Sequence, residues 1–183
     1  IIVNKLIINK ANFSLKKDDL IFLNKASHNK FSNKKIKIMN SNVFLKDNLD
    51  EVITIIRISK AFLFYDDLKF LNLLNLKGKI FNIPFNFDFN KKVYTSDNKE
   101  INIDVNKLKL NIFNNSNKHS EDSIVGSNII SIFNSNIYTK YNIKKDIITF
   151  ESNNFRIKNS NMDYKGQLSL KPFDLKLLMN LKN

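Results

Sequence analysis

Apolar and polar residues alternate along much of the chain, and the clearest stretch is residues 81–89. Every odd position there is apolar, and every even position is polar or proline. A strand places all of these apolar side chains on one side, whereas a helix would scatter them around its circumference. Pro84 has no N–H to donate to a β-ladder, so we expect this strand to lie at a sheet edge or to bulge there.

Shorter stretches show the same period of two. Each places apolar residues at alternate positions with mostly polar residues between them, which predicts strands with one buried face. The apolar positions are Ala11, Phe13 and Leu15; Ile36 and Ile38; Ile101, Ile103 and Val105; Leu108, Leu110 and Ile112; Met162, Tyr164, Leu168 and Leu170; and Leu175, Leu177, Met179 and Leu181.

Helical signals are weak. Residues 66–76 are expected to hold a short helix, with Asp66 or Asp67 as its N-cap and Gly78 just beyond its end. Polar stretches predict the loops, and the longest of these is expected to be disordered. The predicted loops are 16–20, 29–35, 90–100 and 114–127.

This pattern predicts an all-β, mainly antiparallel fold with at most a short helix. Exposing the apolar side chains of residues 81–89 would forfeit on the order of 10 kcal/mol, so the apolar face of the sheet needs a cover. Amphipathic helices that would provide it are nearly absent. We expect a long, twisted, open sheet that curls into a hydrophobic groove, with residues 1–183 forming a single groove segment. A closed β-sandwich satisfies the same requirement.

A short phrase occurs three times, at residues 37–47, 131–141 and 156–166. Each copy has an apolar position, then Asn-Ser-Asn, then a short apolar strand that ends in lysine. Chance would also produce the central Asn-Ser-Asn, because both residues are abundant. Agreement of the flanking positions favours a repeating strand unit, although the unequal spacing differs from that of a tight solenoid.

These phrases, together with Gly-Lys-Ile-Phe-Asn-Ile-Pro-Phe at residues 78–85 and Tyr-Lys-Gly-Gln-Leu-Ser-Leu-Lys-Pro-Phe at residues 164–173, resemble the AsmA-like family, which includes the TamB and YhdP types. The resemblance runs from about residue 36 to the end of the chain. It lies in the texture of the strands and in no catalytic signature.

The resemblance implies a Gram-negative periplasmic protein that is anchored to the inner membrane through a segment outside this chain. It implies a non-catalytic, bridge-like segment for phospholipid transport between inner and outer membrane, contributing to outer-membrane assembly. The implied partners are phospholipid acyl chains, the membranes at the ends of the full-length protein and neighbouring β-repeats of the same chain. The strand phase predicts a groove lined by Phe81, Ile83, Phe85, Phe87, Phe89, Leu108, Leu110, Ile112, Tyr164, Leu168, Leu170, Leu175 and Leu177.

The net charge is +13. Such a charge suits nucleic acid or an anionic membrane surface, but the abundant Asn, Lys, Ile and Phe all have AT-rich codons, and a biased genome explains them without a nucleic-acid partner. No apolar run reaches the roughly 20 residues of a membrane-spanning helix. The chain begins without Met and ends within an alternating pattern, so we expect it to be a fragment.

Catalytic and metal-binding signatures are not found in the sequence. The chain has no cysteine, and neither His28 nor His119 has a second histidine nearby, so no metal or cofactor is expected. The adjacent acids Asp66–Asp67 and Glu121–Asp122 lie in polar stretches, where caps or solvated charges are commoner than acid–base pairs. The three scattered glycines form no phosphate-binding loop. We therefore expect no enzymatic activity.

Three other functions remain open. An outer-membrane barrel fragment would also alternate, although the chain has no Trp and only 5 Tyr for aromatic girdles. A basic nucleic-acid-binding module would use Phe to stack bases, but the Phe residues fall on the face opposite the polar residues. A structural β-sandwich for adhesion or scaffolding is the third.

Overall fold

The computed structural model describes residues 5–16, 19, 29–93, 97–120, 122–133, 135–157 and 160–182. These residues form strands and one 3₁₀ helix. In chain order they are β1 (Lys5–Asn9), β2 (Asn12–Leu15), β3 (Lys35–Lys46), β4 (Val52–Asp66), β5 (Leu71–Ile80), β6 (Ile83–Lys92), β7 (Lys99–Val105), the 3₁₀ helix (Asn106–Leu108), β8 (Leu110–Ser120), β9 (Ser123–Ile132), β10 (Ser135–Lys144), β11 (Ile147–Ile157), β12 (Ser160–Leu170) and β13 (Phe173–Lys182).

All 13 strands belong to one open sheet. From β3 to β13 each strand pairs antiparallel with the next along the chain, whereas β1 and β2 both pair parallel with β3. The substantial contacts between strands are those of sheet neighbours, and the 3₁₀ helix contacts β6 and β8. The predicted all-β, mainly antiparallel open sheet is confirmed. Within the described ranges no second sheet lies over it, so these residues do not form a closed sandwich.

The turn between β5 and β6 consists of Phe81 and Asn82, whose φ angles are 49° and 62°. Positive φ at both central residues is the pattern of a type I′ turn, whose twist matches that of the flanking strands. The strand predicted to begin at Phe81 therefore begins at Ile83, and the Phe81 side chain is 74% exposed.

Pro84 lies where β6 has a partner on one side. It pairs with Lys79 of β5, whereas the pairing of β6 with β7 begins at Asn86. The side of Pro84 on which an N–H would be needed therefore has no neighbouring strand. Pro84 thus lies at a local edge of the sheet, as expected.

The predicted helix at residues 66–76 is wrong. β4 continues to Asp66, and β5 begins at Leu71 after a four-residue turn. The Oδ1 atom of Asp66 accepts hydrogen bonds from the backbone N–H groups of Leu68 (3.0 Å) and Lys69 (3.1 Å). The carboxylate that was expected to cap a helix therefore stabilises the turn between β4 and β5 instead.

The predicted disordered loop at residues 114–127 is also wrong, because β8 runs to Ser120 and β9 begins at Ser123. Within the predicted loop at 90–100, β6 extends to Lys92 and β7 begins at Lys99. The backbone N–H and C=O groups of polar residues form the same β-ladder hydrogen bonds as those of apolar residues. An abundance of polar residues therefore did not mark the ends of these strands.

The remaining loop predictions have mixed outcomes. Residues 29–34 precede β3 as a connection, as predicted, whereas residues 17, 18 and 20 lie outside the described residues. Leu108, predicted to begin a strand, lies in the 3₁₀ helix. The φ of 48° at Lys109 ends that helix, and β8 begins one residue later.

The three repeated phrases all fall where a strand is interrupted. Asn40 of the first copy has a φ of 49° inside β3, and pairing with β4 resumes at Ser41. The second and third copies lie at the β9–β10 and β11–β12 connections, where Ser135 and Ser160 begin the next strand. Residues 134, 158 and 159 of these copies lie outside the described residues. The phrase thus marks an interruption inside β3 in the first copy and the start of a strand in the other two copies.

Candidate functional site

The pairing registers separate apolar from polar side chains. Paired residues of neighbouring strands point to the same side of a sheet. The apolar face is the side that carries the successive partners Ala61, Leu76, Phe87, Ile103, Ile112 and Ile130 on β4 to β9. The next row, on the opposite face, is entirely polar: Lys77, Asn86, Asp104, Asn111, Ser131 and Asn136 on β5 to β10.

Most of the predicted lining residues share the apolar face. Phe81 and Leu108 do not, because Phe81 lies in the β5–β6 turn and Leu108 lies in the 3₁₀ helix. The residues that the registers bring to this face are Ile83, Phe85, Phe87, Phe89, Leu110, Ile112, Tyr164, Leu168, Leu170, Leu175 and Leu177.

The apolar face is most exposed on β13, whereas Phe155 of β11 (8%) and Met162 of β12 (9%) are buried on the same face. Phe89 on β6 is 7% exposed, whereas Ile124 on β9 is 41%, Leu177 on β13 is 50% and Leu181 is 72% exposed. The total accessible surface is 12933 Å² for 21.4 kDa, against about 9,100 Å² for a compact protein of that mass. In β10 the residues of the apolar face are half-buried and those of the opposite face are exposed. This difference is what curling towards the apolar face would produce.

Each glycine of the chain pairs with an aromatic residue on the apolar face. The pairs are Gly78 with Phe85, Gly126 with Tyr141, and Gly166 with Phe150. A Cβ at Gly166 would lie 2.5 Å from the Phe150 ring, and a Cβ at Gly126 would overlap the Tyr141 ring. The rings of Tyr141 and Phe150 therefore lie across the neighbouring strand instead of standing out from the sheet.

A row of polar side chains crosses the apolar face and forms what we call the polar belt: Asn114, Asn128, Thr139, Ser152 and Tyr164. Asn114 Nδ2 donates to Asn128 Oδ1 (2.6 Å) and to the Tyr141 hydroxyl (2.7 Å). Thr139 Oγ1 and the Tyr164 hydroxyl share a hydrogen bond of 2.5 Å.

Ser152, the fifth member of the belt, is 1% exposed, and its Oγ has no hydrogen-bond partner among the described residues. Sequence reasoning found Tyr164 but missed Asn114, because it placed this residue in a loop. The alternation of Thr139 and Tyr141 is the signal that would have extended the apolar face to β10.

At one end of β6, β7 and β8, the apolar face finishes in three lysines, Lys91, Lys99 and Lys118. We call this group the cationic end. Lys91 is 4% exposed and pairs directly with Lys99 across the β6–β7 ladder. Burial lowers the pKa of Lys91; Asp97, 3.8 Å away, opposes this shift, and the neighbouring charges of Lys99 and Lys118 add to it. Burial also lowers the pKa of Lys99.

Residues 29–34 cover the apolar face beside this cationic end. Asn72, which is fully buried, accepts from the Phe31 N–H (2.8 Å) and donates to the Asn29 carbonyl (2.7 Å). The Phe31 ring packs against that of Phe89, with centroids 6.4 Å apart. This connection explains why Phe89 is buried in a sheet of one layer.

The opposite face has an open depression across β9 to β13. Lys140, Glu151, Lys165 and Leu178 are among its lining residues. Its mixture of charges makes it a poorer surface for hydrocarbon than the apolar face.

The sequence candidates for chemistry do not converge. Asp67 pairs with Lys30 (3.0 Å), and His119 is exposed in β8. His28 and Glu121 lie outside the described residues. No group of three or more His, Cys, Asp or Glu side chains in the described part of the chain is arranged to hold a metal ion.

Comparison of the chain with protein-family models, with curated proteins and with solved structures gives no match. Among the residues that the structure describes, no helix is long and apolar enough to cross a membrane.

Proposed function

We propose that this protein binds the acyl chains of phospholipids along its apolar face and carries out no chemistry on them. The observation that carries the proposal is the apolar face itself: it extends from β4 to β13, is crossed by the polar belt, is one layer thick, and is about half exposed at β13. Within the described ranges, no element covers it between β9 and β13.

Acyl chains fit this face on energetic grounds. Leu175, Leu177, Met179 and Leu181 of β13 are 50–72% exposed. Since full burial of one such side chain is worth roughly 1.5–3 kcal/mol, covering the exposed parts of these four would contribute on the order of 3–7 kcal/mol. A hydrocarbon chain needs no hydrogen-bond partners and follows a trough without a fixed register, whereas a protein partner would have to match the half-exposed side chains individually.

We further propose that the face is one stretch of a longer path for phospholipid between the inner and outer membranes of a Gram-negative periplasm. The phrases that resemble the AsmA-like family support this role. The sheet geometry is compatible with this role, because β13 pairs with β12 on one side and with no described strand on the other, which leaves an edge that accepts a further strand.

The test is native mass spectrometry of the segment purified from a Gram-negative host, with extraction and identification of bound lipid. Leu177 and Leu178 provide a matched pair, because both lie on β13 with exposures of 50% and 53% but face opposite sides. We expect co-purifying phospholipid that Leu177→Asp removes and Leu178→Asp retains. Neither change buries a charge in a packed core, so both variants should fold, as circular dichroism would show.

Phe85→Asp/Phe87→Asp extends the test to the middle of the sheet and should also abolish binding in a folded protein. A folded wild-type segment without lipid would refute the proposal. Loss of lipid in Leu178→Asp alone would move the binding surface to the depression on the opposite face.

A further inference from the structure

Among the described residues, the lysines of the cationic end have few anionic partners. Lys91 is almost fully buried, and its ion pair with Asp97 spans 3.8 Å, which is longer than a hydrogen bond. Lys99 lies directly opposite, and Lys118 lies two residues beyond Ser116, the β8 partner of Lys99. Like charges paired across strands destabilise a sheet, so this arrangement has a cost that the fold alone does not explain.

Within the described part of the chain, the charges that line this end do not balance. A depression of about 550 Å³ is lined by Lys91, Lys99, Lys118 and Lys145, against the carboxylates Asp97 and Asp122. Asp97 is about half exposed. Burying an ammonium group without a close counter-ion is unfavourable, and an anion in the depression would remove that penalty.

The same depression reaches the apolar face. Ile124, Ile143 and Tyr141 form its other side, and Phe89 precedes Lys91 by two residues on the same side of β6. A molecule with an anionic group at the lysines thus has an apolar surface within reach of its tail.

We propose that Lys91, Lys99 and Lys118 form an oxyanion site that takes the phosphate of an amphiphile whose hydrocarbon chain lies on the apolar face. The placement of the hydrocarbon tail rests on the proposed function, whereas the binding of the phosphate does not. Lysine ammonium groups bind phosphate as point charges with several donors each. Because the three lysines lie at the β6–β8 end, they fix the head group of a bound amphiphile there. The amphiphile therefore lies on the apolar face in one orientation.

Two ligands with the same chain test the site: dodecyl phosphate and dodecanol, with inorganic phosphate as a third, titrated by isothermal calorimetry. We expect dodecyl phosphate to bind at least tenfold more tightly than dodecanol, a difference of about 1.4 kcal/mol. Lys91→Met/Lys99→Met should bring that ratio close to one. Lys140→Met/Lys165→Met, on the opposite face, should leave it intact. Added salt should narrow the wild-type ratio.

The outcomes separate this site from the proposed function. Equal affinities for the two dodecyl ligands in the wild-type protein, or a ratio that survives Lys91→Met/Lys99→Met, would overturn the oxyanion site and leave hydrocarbon binding intact. Binding of inorganic phosphate as tight as that of dodecyl phosphate, without dodecanol binding, would support the oxyanion site, assign it to free phosphate and overturn the lipid function.

Discussion

Tyr141 of β10 lies directly opposite Gly126 of β9, and its ring occupies the space that a Cβ at Gly126 would fill. The hydroxyl of this tyrosine thereby reaches Asn114 on β8, one strand further on. The backbone approaches closely here as well, since a Cβ at Gly126 would lie 2.8 Å from the Asn115 carbonyl. Because Gly126 has no side chain, the Tyr141 ring lies flat over β9. Its hydrogen bond to Asn114 then links β10 to β8 across β9.

Gly126→Ala should destabilise the protein, because the added methyl group meets both the ring and a carbonyl. Overpacking of this kind typically costs about 1–3 kcal/mol. The measurement is the midpoint of urea unfolding. Ser116→Ala, at the β8 partner of Gly126, is the control and should shift the midpoint much less; equal midpoints for the two variants would contradict the packing described here.

Thr139 and Tyr164 should prove energetically coupled, because their hydroxyl groups share a hydrogen bond in the polar belt. A double-mutant cycle of Thr139→Val and Tyr164→Phe should give a coupling of about 1 kcal/mol in unfolding experiments. Tyr138→Phe tests the specificity, since Tyr138 faces the opposite side and is 41% exposed. A cycle that closes to zero would mean that the hydroxyl groups act independently.

Asp66→Ala should destabilise the β4–β5 turn. The carboxylate accepts two backbone N–H groups, and removing it leaves both to water at a cost of about 1 kcal/mol. Asp174→Ala is the comparison, because among the described residues Asp174 has a solvent-exposed ion pair of 3.9 Å with Lys176. Hydrogen exchange of the Leu68 and Lys69 amides would localise the effect; unchanged protection would argue against the turn.

Lys91→Met should stabilise the protein at neutral pH, by on the order of 1 kcal/mol, because a buried charge gives way to an apolar side chain. Lys140→Met, an exposed change, should be neutral. A stabilising substitution at a proposed binding residue is what a trade-off between function and stability produces.

The pH dependence has a definite sign. Burial lowers the folded-state pKa of Lys91 below its ordinary value of 10.5, so the unfolded chain binds more protons between the two values. Stability should therefore rise with pH across that window. Lys91→Met should flatten this rise, as thermal unfolding at several pH values would show, and an unchanged slope would assign it to other groups.

Local patterns were enough to predict the sheet class and most of one face. Phe85, Phe87 and Phe89 alternate with polar residues, and since the side-chain period of a strand is two, their common face follows from the sequence. The same reasoning placed Tyr164, Leu168 and Leu170 together. It failed at Phe81, where positive φ takes a phenylalanine into a turn, and at Asp66, where a capping carboxylate serves a turn as readily as a helix.

The sequence by itself determined which side chains share a face within each strand, because that depends only on the alternation of the extended backbone. Tertiary structure decided which strands are neighbours, and with them the contacts that cross strands. Lys91 and Lys99 read as two more surface lysines along the chain, but the β6–β7 register makes them partners in the cationic end, where Lys91 is buried. Asn114 read as part of a loop, but the β8–β9 register pairs it with Asn128 in the polar belt. Such pairings come from residues far apart in sequence, and no local pattern encodes them.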